Sequence, residues 1–221
     1  MTAPTTPPPN PGLPSEAKSE ILTRIRGALA QHPPERVEVD RTYRRERQEG
    51  TDVVGVFADR LADYDATVRY IRTGDMIAAA DDLLALAGIR RIAVPNLDRR
   101  LSWLAATGVE LVVDDPPLSD TQLEDIGAVA TGCALAIAET GTIVLDTGPD
   151  QGRRALTLLP DYHLCVVRAD QVVGTVPEAV ARLDPTRPQT WISGPSATVD
   201  IEMVRVAGVH GPRTLHVLVL G

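Results

Sequence analysis

The sequence predicts an α/β protein, because short apolar strands alternate with helices along most of the chain. The alternation begins near residue 52, and helices of about 10–13 residues separate the first three strands. That spacing is typical of a parallel sheet with right-handed crossovers. Apolar runs in the second half add further strands. The expected fold is a mixed, mostly parallel sheet with helices covering both of its faces.

The first half of the chain supplies three strands and the helices between them. Apolar residues at helical spacing predict helices, and short runs of apolar residues predict strands. Glycine follows two of the helices, at Gly88 and Gly108, where a left-handed residue commonly ends a helix. The predicted helices span residues 53–63, 75–87 and 97–107, and the predicted strands span residues 66–71, 91–94 and 109–113.

The second half is richer in strand signals. Residues 128–138 and 142–146 are apolar runs joined by Glu139-Thr140-Gly141, which predicts a hairpin or a tight bend. Proline is expected at the first position of the last helix, where its missing N–H costs nothing. The remaining predicted strands span residues 162–168 and 215–220, and short helices are expected over residues 153–159 and 177–183.

The N-terminal part differs from the rest of the chain in composition. Residues 1–14 contain six prolines and few apolar side chains, so we expect a disordered tail. Residues 15–51 are expected to form one helix, ended by Pro33-Pro34, and a charged linker. The α/β domain would then span residues 52–221. A basic cluster in the linker is interpreted either as a solvated arm or as an arginine lid over an anionic site: Arg41, Arg44, Arg45 and Arg47.

Composition and charge exclude several classes of protein. The net charge of −8 disfavours nonspecific binding to nucleic acid, which requires concentrated positive charge. Lys18 is the only lysine and follows alanine, which argues against P-loop nucleotide-binding proteins and pyridoxal phosphate enzymes. No apolar run reaches the roughly 18 residues of a membrane span, and no signal peptide is recognisable. A cytoplasmic location is therefore expected.

The sequence also lacks the common metal and cofactor motifs. Cys133 and Cys165 are far apart in apolar surroundings, so we expect buried free thiols in a reducing compartment. No CxxC, HxH or HExxH pattern occurs, which disfavours an iron–sulfur cluster, a structural zinc site and a catalytic metal site. The prediction is that this chain binds no cofactor and no metal.

Three segments combine glycine with polar residues beside predicted strands, where ligands bind in open α/β sheets. Each is interpreted either as part of a ligand site or as a tight turn held by its own hydrogen bonds. His163 and His216 lie in predicted strands and are interpreted as core histidines. The segments are Glu139-Thr140-Gly141-Thr142, the turn Gly194-Pro195-Ser196 leading into a short helix with Asp200, and His210-Gly211-Pro212-Arg213.

The three segments are expected to converge, because loops at one edge of neighbouring strands meet in one crevice. Glu139 and His210 are the candidate catalytic residues, since a carboxylate beside an imidazole could serve in acid–base chemistry or simply hold the loops together. Arg213 could bind a phosphate or a carboxylate through two hydrogen bonds. The ligand-binding candidates are Thr140, Gly141, Thr142, Gly194, Pro195, Ser196, Asp200, Gly211 and Arg213.

Long stretches of the second half resemble a known family. The stretches are AVATGCALAIAETGTIVLD, GPDQGRRALTLLPDYHLCVV, WISGPSATVDIE and GVHGPRTLHVLVL, in that order. They resemble the LUD-domain family of lactate utilization protein C, densely over residues 125–221 and more weakly over residues 20–124. The resemblance implies a three-layer α/β sandwich similar to the NagB/RpiA/CoA-transferase-like superfamily. It also implies a role in oxidising L-lactate to pyruvate, together with partner subunits that carry iron–sulfur clusters.

Two functions stay open at this point. In the first, the chain is a catalytic or accessory subunit of a lactate-oxidising complex and has no iron–sulfur cluster of its own. In the second, it is a stand-alone enzyme or binding module for a phosphorylated or CoA-linked small molecule, with Arg153, Arg154 and Arg213 near the anion. Both predict a small anionic ligand, and neither predicts a nucleic-acid partner or a membrane span.

Overall fold

The chain divides into two compact units, residues 1–43 and residues 44–221. The domain start at residue 52 stays a prediction. The predicted tail over residues 1–14 and the basic cluster of the linker lie outside the described residues. The computed structural model describes residues 15–31, 38–40, 42, 50, 52–96, 100–198, 206–207 and 210–221.

The first unit contains the predicted N-terminal helix, α1 (Ser15–Gln31). Its apolar side chains Ile21, Ile25 and Leu29 recur every four residues, and all three are exposed. Because residues at this spacing share one side of a helix, they form an apolar stripe along α1.

The second unit is built on twelve described strands and four described α-helices. Six of the strands form one sheet, and four others form a smaller one. The strands are β1 (Thr67–Ile71), β2 (Arg91–Val94), β3 (Glu110–Val113), β4 (Ala128–Thr131), β5 (Leu135–Ile137), β6 (Thr142–Leu145), β7 (Tyr162–Arg168), β8 (Val172–Val173), β9 (Thr190–Ile192), β10 (Ala197–Thr198), β11 (Val206–Ala207) and β12 (Thr214–Leu220). The helices are α2 (Val53–Ala62), α3 (Met76–Leu86), α4 (Asp120–Ile126) and α5 (Val176–Arg182).

The large sheet has the strand order β1-β12-β7-β4-β2-β3, and every neighbouring pair is parallel. The prediction of an α/β fold with a mostly parallel sheet is therefore confirmed. Side chains alternate between the two faces along β7, as the strand period requires. Cys165 and Val167 face the core that contains α2, whereas Tyr162 and Leu164 face the core that contains α3.

The small sheet, in the order β8-β5-β6-β9, covers part of one face of the large sheet. The hairpin predicted around Glu139-Thr140-Gly141 is confirmed, since β5 and β6 pair antiparallel. Ala136 and Ile143 pack toward the large sheet in one core, whereas Ile137 and Val144 pack against α5 in another. The small sheet thus adds a strand layer where the sequence predicted only helices.

Two helices predicted from the sequence are replaced by single 3-10 turns. Residues 102–106 form such a turn instead of the second half of the helix expected over residues 97–107. Leu101 and Leu104 are both buried, and their spacing of three matches the 3-10 period. Residues 154–157 form a second 3-10 turn inside the helix expected over residues 153–159.

Helix α4 was not predicted, although its boundaries are marked in the sequence. The Ser119 side chain accepts a hydrogen bond from the Gln122 N–H, and the Gln122 side chain accepts one from the Ser119 N–H. This capping box satisfies two backbone donors at the helix start. Gly127 ends the helix in the left-handed conformation, with φ of 68°. None of the helices that the structure describes has the length and apolarity of a membrane span.

Candidate functional site

The second and third predicted segments meet directly. The Ser196 N–H donates to the Pro212 carbonyl over 2.8 Å, and the His210 N–H donates to Ser196 Oγ over 3.1 Å. Gly211 lies close to Ser196, since a Cβ at Gly211 would come within 3.6 Å of the Ser196 Cβ. The predicted convergence of these two segments is therefore confirmed.

A chain of hydroxyl groups joins the first segment to the second. Thr140 Oγ1 lies 2.7 Å from Thr142 Oγ1, which lies 2.7 Å from Ser193 Oγ. Thr142 is buried, so its hydroxyl depends on these two partners rather than on bulk water. The first segment thus approaches the other two through its threonines.

The first and second segments pack closely against α2 and the turn after it, at Gly141 and Gly194. Gly141 has φ of 58°, and a Cβ there would lie 2.8 Å from the Arg60 Cβ and 2.9 Å from the Leu61 nitrogen. Gly194 has φ of 84°, and a Cβ there would lie 2.5 Å from the Tyr64 Cβ. Glycine is needed at both places, because any side chain would be strained by φ and would collide with α2 or the turn after it.

The Glu139 carboxylate contacts the start of α5. Its Oε1 accepts a hydrogen bond from the Val176 N–H over 2.8 Å, at the first residue of α5. A carboxylate in this place satisfies a backbone donor that the helix leaves without an internal partner. The catalytic role of Glu139 stays a prediction, and the observed contact points to a structural role.

The loops enclose a cavity of about 230 Å³, which we call the loop cavity. It lies at the amino edge of the large sheet, because His210-Gly211-Pro212 precede β12 and Arg154 and Thr157 precede β7. Glu139 is not among the residues that line it. Those residues are Arg154, Thr157, His163, Thr190–Ala197, His210–Pro212 and Leu215.

His163 lines the loop cavity, although the sequence predicted it only as a core histidine. It is buried, and its Nε2 lies 2.8 Å from Thr131 Oγ1. Burial lowers the pKa of His163 to about 4, and the Arg154 charge acts in the same direction. The imidazole is therefore neutral at pH 7. The prediction of a core histidine is confirmed by its burial, but only the tertiary structure shows that His163 also borders a cavity.

Arg154 supplies positive charge to the loop cavity. Its Nη1 donates to Thr157 Oγ1 over 3.1 Å, and burial lowers its pKa from the ordinary value. An arginine stays charged even so, because its ordinary pKa lies far above neutral pH. The described residues that line the cavity include no carboxylate. Hydroxyl donors beside one guanidinium favour a small anion.

The ligand-binding candidates Thr140, Gly141, Thr142 and Arg213 are not among the residues that line the loop cavity. Arg213 forms an ion pair with Asp161, which raises the pKa of Arg213, and it lines a different cavity with Tyr162 and His216. Asp200 lies outside the described residues. The short helix expected after Ser196 is wrong at its start, since Ala197 and Thr198 form β10 and pair with β11.

Both cysteines are buried free thiols, as predicted. The neighbouring Cys165 thiol and burial hold the pKa of Cys133 well above its ordinary value, so Cys133 stays protonated at neutral pH. Across the described part of the chain, no three histidine, cysteine, aspartate or glutamate side chains are grouped so that they could hold a metal ion.

Comparison with known proteins places the chain in a family. Residues 120–220 match the LUD domain. The chain is 46% identical over 214 residues to "Lactate utilization protein C" of Deinococcus radiodurans, covering 94% of this chain and 97% of that protein. The chain belongs to the LUD-domain family. A "Lactate utilization protein C" of Bacillus licheniformis is 30% identical to this LUD-domain protein over 174 residues, covering 73% of this chain and 67% of the other.

A solved structure agrees with this assignment. The crystal structure of a DUF162 family protein from Deinococcus radiodurans superimposes on this LUD-domain chain with a TM-score of 0.63 at 41% sequence identity. The superposition covers 76% of this chain and 96% of the other. The fold of the LUD-domain unit is thus shared with an experimentally determined relative.

The hydroxyl chain should stabilise the LUD-domain fold measurably. We expect Thr142→Val to lower the free energy of unfolding by about 1–2 kcal/mol, because valine keeps the shape but leaves two hydroxyls without their partner. The measurement is urea unfolding followed by circular dichroism. Thr67→Val, on the exposed face of β1, is the control and should change stability by less than about 0.5 kcal/mol. Equal effects of the two variants would contradict a stabilising role of the chain.

Proposed function

We propose that this LUD-domain protein is a subunit of a system that oxidises L-lactate to pyruvate. The observation that carries the proposal is the identity of 46% to a lactate utilization protein C, which extends over 97% of that relative. Full-length similarity at this level supports a shared role better than a match of one motif does. The finer part of the proposal is that electrons pass to partner subunits that carry iron–sulfur clusters, as the family resemblance implies.

The loop cavity is the proposed site for a small anionic ligand. Its volume of about 230 Å³ suits a molecule of a few heavy atoms, such as a short carboxylic acid. Arg154 would pair with the carboxylate, and Ser193, Ser196 and Thr157 would supply hydroxyl hydrogen bonds. The neutral His163 and the exposed His210 are the two imidazoles that border this space.

Growth on L-lactate tests the proposed function. A strain lacking the gene should grow normally on glucose and poorly on L-lactate, and a plasmid copy should restore growth. Normal growth of the deletion strain on L-lactate would refute the proposal. A second readout is thermal shift of the purified chain with L-lactate, pyruvate, sugar phosphates and acyl-CoA, since a ligand at about 100 times its Kd adds about 2.7 kcal/mol. A shift with acyl-CoA or a sugar phosphate alone would favour the second function considered above.

Two substitutions separate the roles of the candidate catalytic residues. We expect His210→Ala to slow growth on L-lactate at least about tenfold if this imidazole acts in acid–base chemistry. Glu139→Gln should support growth, because the amide oxygen of glutamine can still accept the Val176 N–H bond. Both proteins should be folded, as judged by circular dichroism. Loss of growth with Glu139→Gln and normal growth with His210→Ala would reverse the assignment.

A further inference from the structure

A second cavity lies at the carboxyl edge of the large sheet, opposite the loop cavity. It has a volume of about 570 Å³ and is lined by residues that follow or end four neighbouring strands, β1, β12, β7 and β4. Among them, Thr73 follows β1, Gly132 follows β4 and Arg168 ends β7. A cavity of this size holds a molecule with several rings, whereas the loop cavity suits only a few heavy atoms. We call it the carboxyl-edge cavity.

The strand order places this cavity beside a topological switch point. After β2 the next strand of the large sheet is β3, on one side, whereas after β4 it is β7, on the other side. Because β2 and β4 are neighbours, these two connections diverge and leave a crevice at the carboxyl edge. Gly132, directly after β4, and Arg100 and Trp103, between β2 and β3, line the cavity. Ligands of open α/β sheets usually bind at such a point.

The wall of the carboxyl-edge cavity is mostly apolar. Met76, Trp103 and Leu220 are half-buried along it, and Leu101 is buried. The Trp103 Nε1 donates to the Arg100 carbonyl over 2.8 Å, so the polar atom of the indole already has a partner. An indole beside aliphatic side chains favours contact with a flat aromatic ring.

The charged side chains of this cavity form two ion pairs. Arg100 lies 3.1 Å from the Asp150 carboxylate, and Arg168 lies 3.0 Å from the Asp170 carboxylate. Among the described residues that line the cavity, these four carry all of the side-chain charge, and their charges cancel. An ionic ligand would lose its hydration without meeting a net opposite charge, so the cavity favours an uncharged molecule. The loop cavity differs, because its Arg154 has no carboxylate beside it among the described lining residues.

Arg168 offers hydrogen-bond donors that its ion pair does not use. Its Nε donates to Asp170 Oδ1, and its side chain is 44% exposed. A guanidinium has five N–H donors and no acceptor, so the N–H groups on Nη1 and Nη2 can bind an uncharged acceptor such as a carbonyl oxygen. The preferred ligand therefore combines a flat ring with a carbonyl group.

We propose that the carboxyl-edge cavity binds an uncharged, fused-ring aromatic molecule that carries a carbonyl group. Its ring would contact the Trp103 indole and the aliphatic side chains of the wall. Its carbonyl oxygen would accept a hydrogen bond from Arg168. This site is separate from the loop cavity, and the proposal does not depend on the proposed function.

Titration of the ¹⁵N-labelled full chain with coumarin, followed by NMR, tests the proposal. Coumarin is an uncharged molecule of two fused rings with one carbonyl group. The chain contains two tryptophans, Trp103 in the carboxyl-edge cavity and Trp191 in the loop cavity, and Trp191→Phe assigns their indole N–H signals. We expect the Trp103 signal to shift with a Kd below about 1 mM, a usual affinity for a ligand of this size. The Trp191 signal should stay in place.

A charged form of the probe tests the preference for an uncharged ligand. Coumarin-3-carboxylate keeps the two rings and adds a negative charge, so its Kd for the shift of the Trp103 signal should be at least about tenfold higher. Arg168→Met should weaken coumarin binding several-fold, because methionine has no N–H donor. Arg91→Met is the control and should leave binding unchanged, since Arg91 pairs with Glu110 outside the cavity.

Four results would each overturn the proposal. They are no shift of the Trp103 signal at about 5 mM coumarin, equal shifts of both tryptophan signals, an equal or lower Kd for coumarin-3-carboxylate, and wild-type affinity of a folded Arg168→Met variant. The first three use the unmodified binding site, so they decide the question even where Arg168→Met fails to fold.

Discussion

Gly141→Ala should lower the free energy of unfolding by about 3 kcal/mol, the sum of a backbone term and a packing term. The backbone term arises because Gly141 has φ of 58°, a conformation that alanine adopts at a cost of about 1 kcal/mol. The packing term arises because the new Cβ would lie 2.8–2.9 Å from Arg60 and Leu61 of α2. Main-chain atoms of a packed helix cannot move aside as a flexible side chain can.

Gly88→Ala is the matched control for this substitution. Gly88 has φ of 70°, and no atom lies within 4 Å of the position that its Cβ would take. It should therefore show the backbone term alone, about 1 kcal/mol. The measurement is urea unfolding of both variants beside the wild type. Equal losses of stability would show that the close contact of Gly141 with α2 does not contribute to stability. They would also contradict the role of this contact in positioning the first segment.

The second large effect is a loss of stability at acidic pH through His163. Its pKa in the folded protein is about 4, below the ordinary 6.5 of the unfolded chain. Between these values the unfolded chain binds a proton that the native protein does not, so the free energy of unfolding rises with pH over this window. The stabilisation is present above about pH 6.5 and should fall by about 2 kcal/mol by pH 5.

A non-titrating variant isolates this effect. In His163→Gln, the side-chain amide can approach Thr131 Oγ1 as the imidazole Nε2 does, but it takes up no proton in this range. Between pH 7 and pH 5, the free energy of unfolding of the variant should therefore fall by about 2 kcal/mol less than that of the wild type. The measurement is urea unfolding at each pH. Burial also lowers the pKa of His216, so some loss in the same direction should persist in the variant. Parallel pH profiles of the two proteins would contradict the assignment to His163.

The sequence by itself determined the elements whose signals are local. Strands over residues 91–94 and 162–168 have the predicted bounds, and Gly88 follows α3 in the left-handed conformation. Signals for α4 were also present, in the capping box that begins at Ser119 and in Gly127. Caps, turns and strand periods can be recognised because they depend on residues within about four positions of one another.

Tertiary structure alone decided how the apolar run over residues 128–138 is divided. Its first part, β4, pairs with β7 and β2 in the large sheet, whereas β5 pairs with β6 and β8 in the small one. Nearly all of the run is buried, so its composition does not show where the chain leaves the large sheet and joins the small one. Burial on both faces removes the alternation that otherwise shows which side of a strand meets the core.

The candidate sites depended on tertiary structure in the same way. The sequence predicted a catalytic role for Glu139, yet its carboxylate accepts a hydrogen bond from the Val176 N–H. The loop cavity is instead lined by His163, which lies in β7 of the large sheet. Which distant groups meet is set by the packing of all the layers together, and no local pattern of residues encodes it.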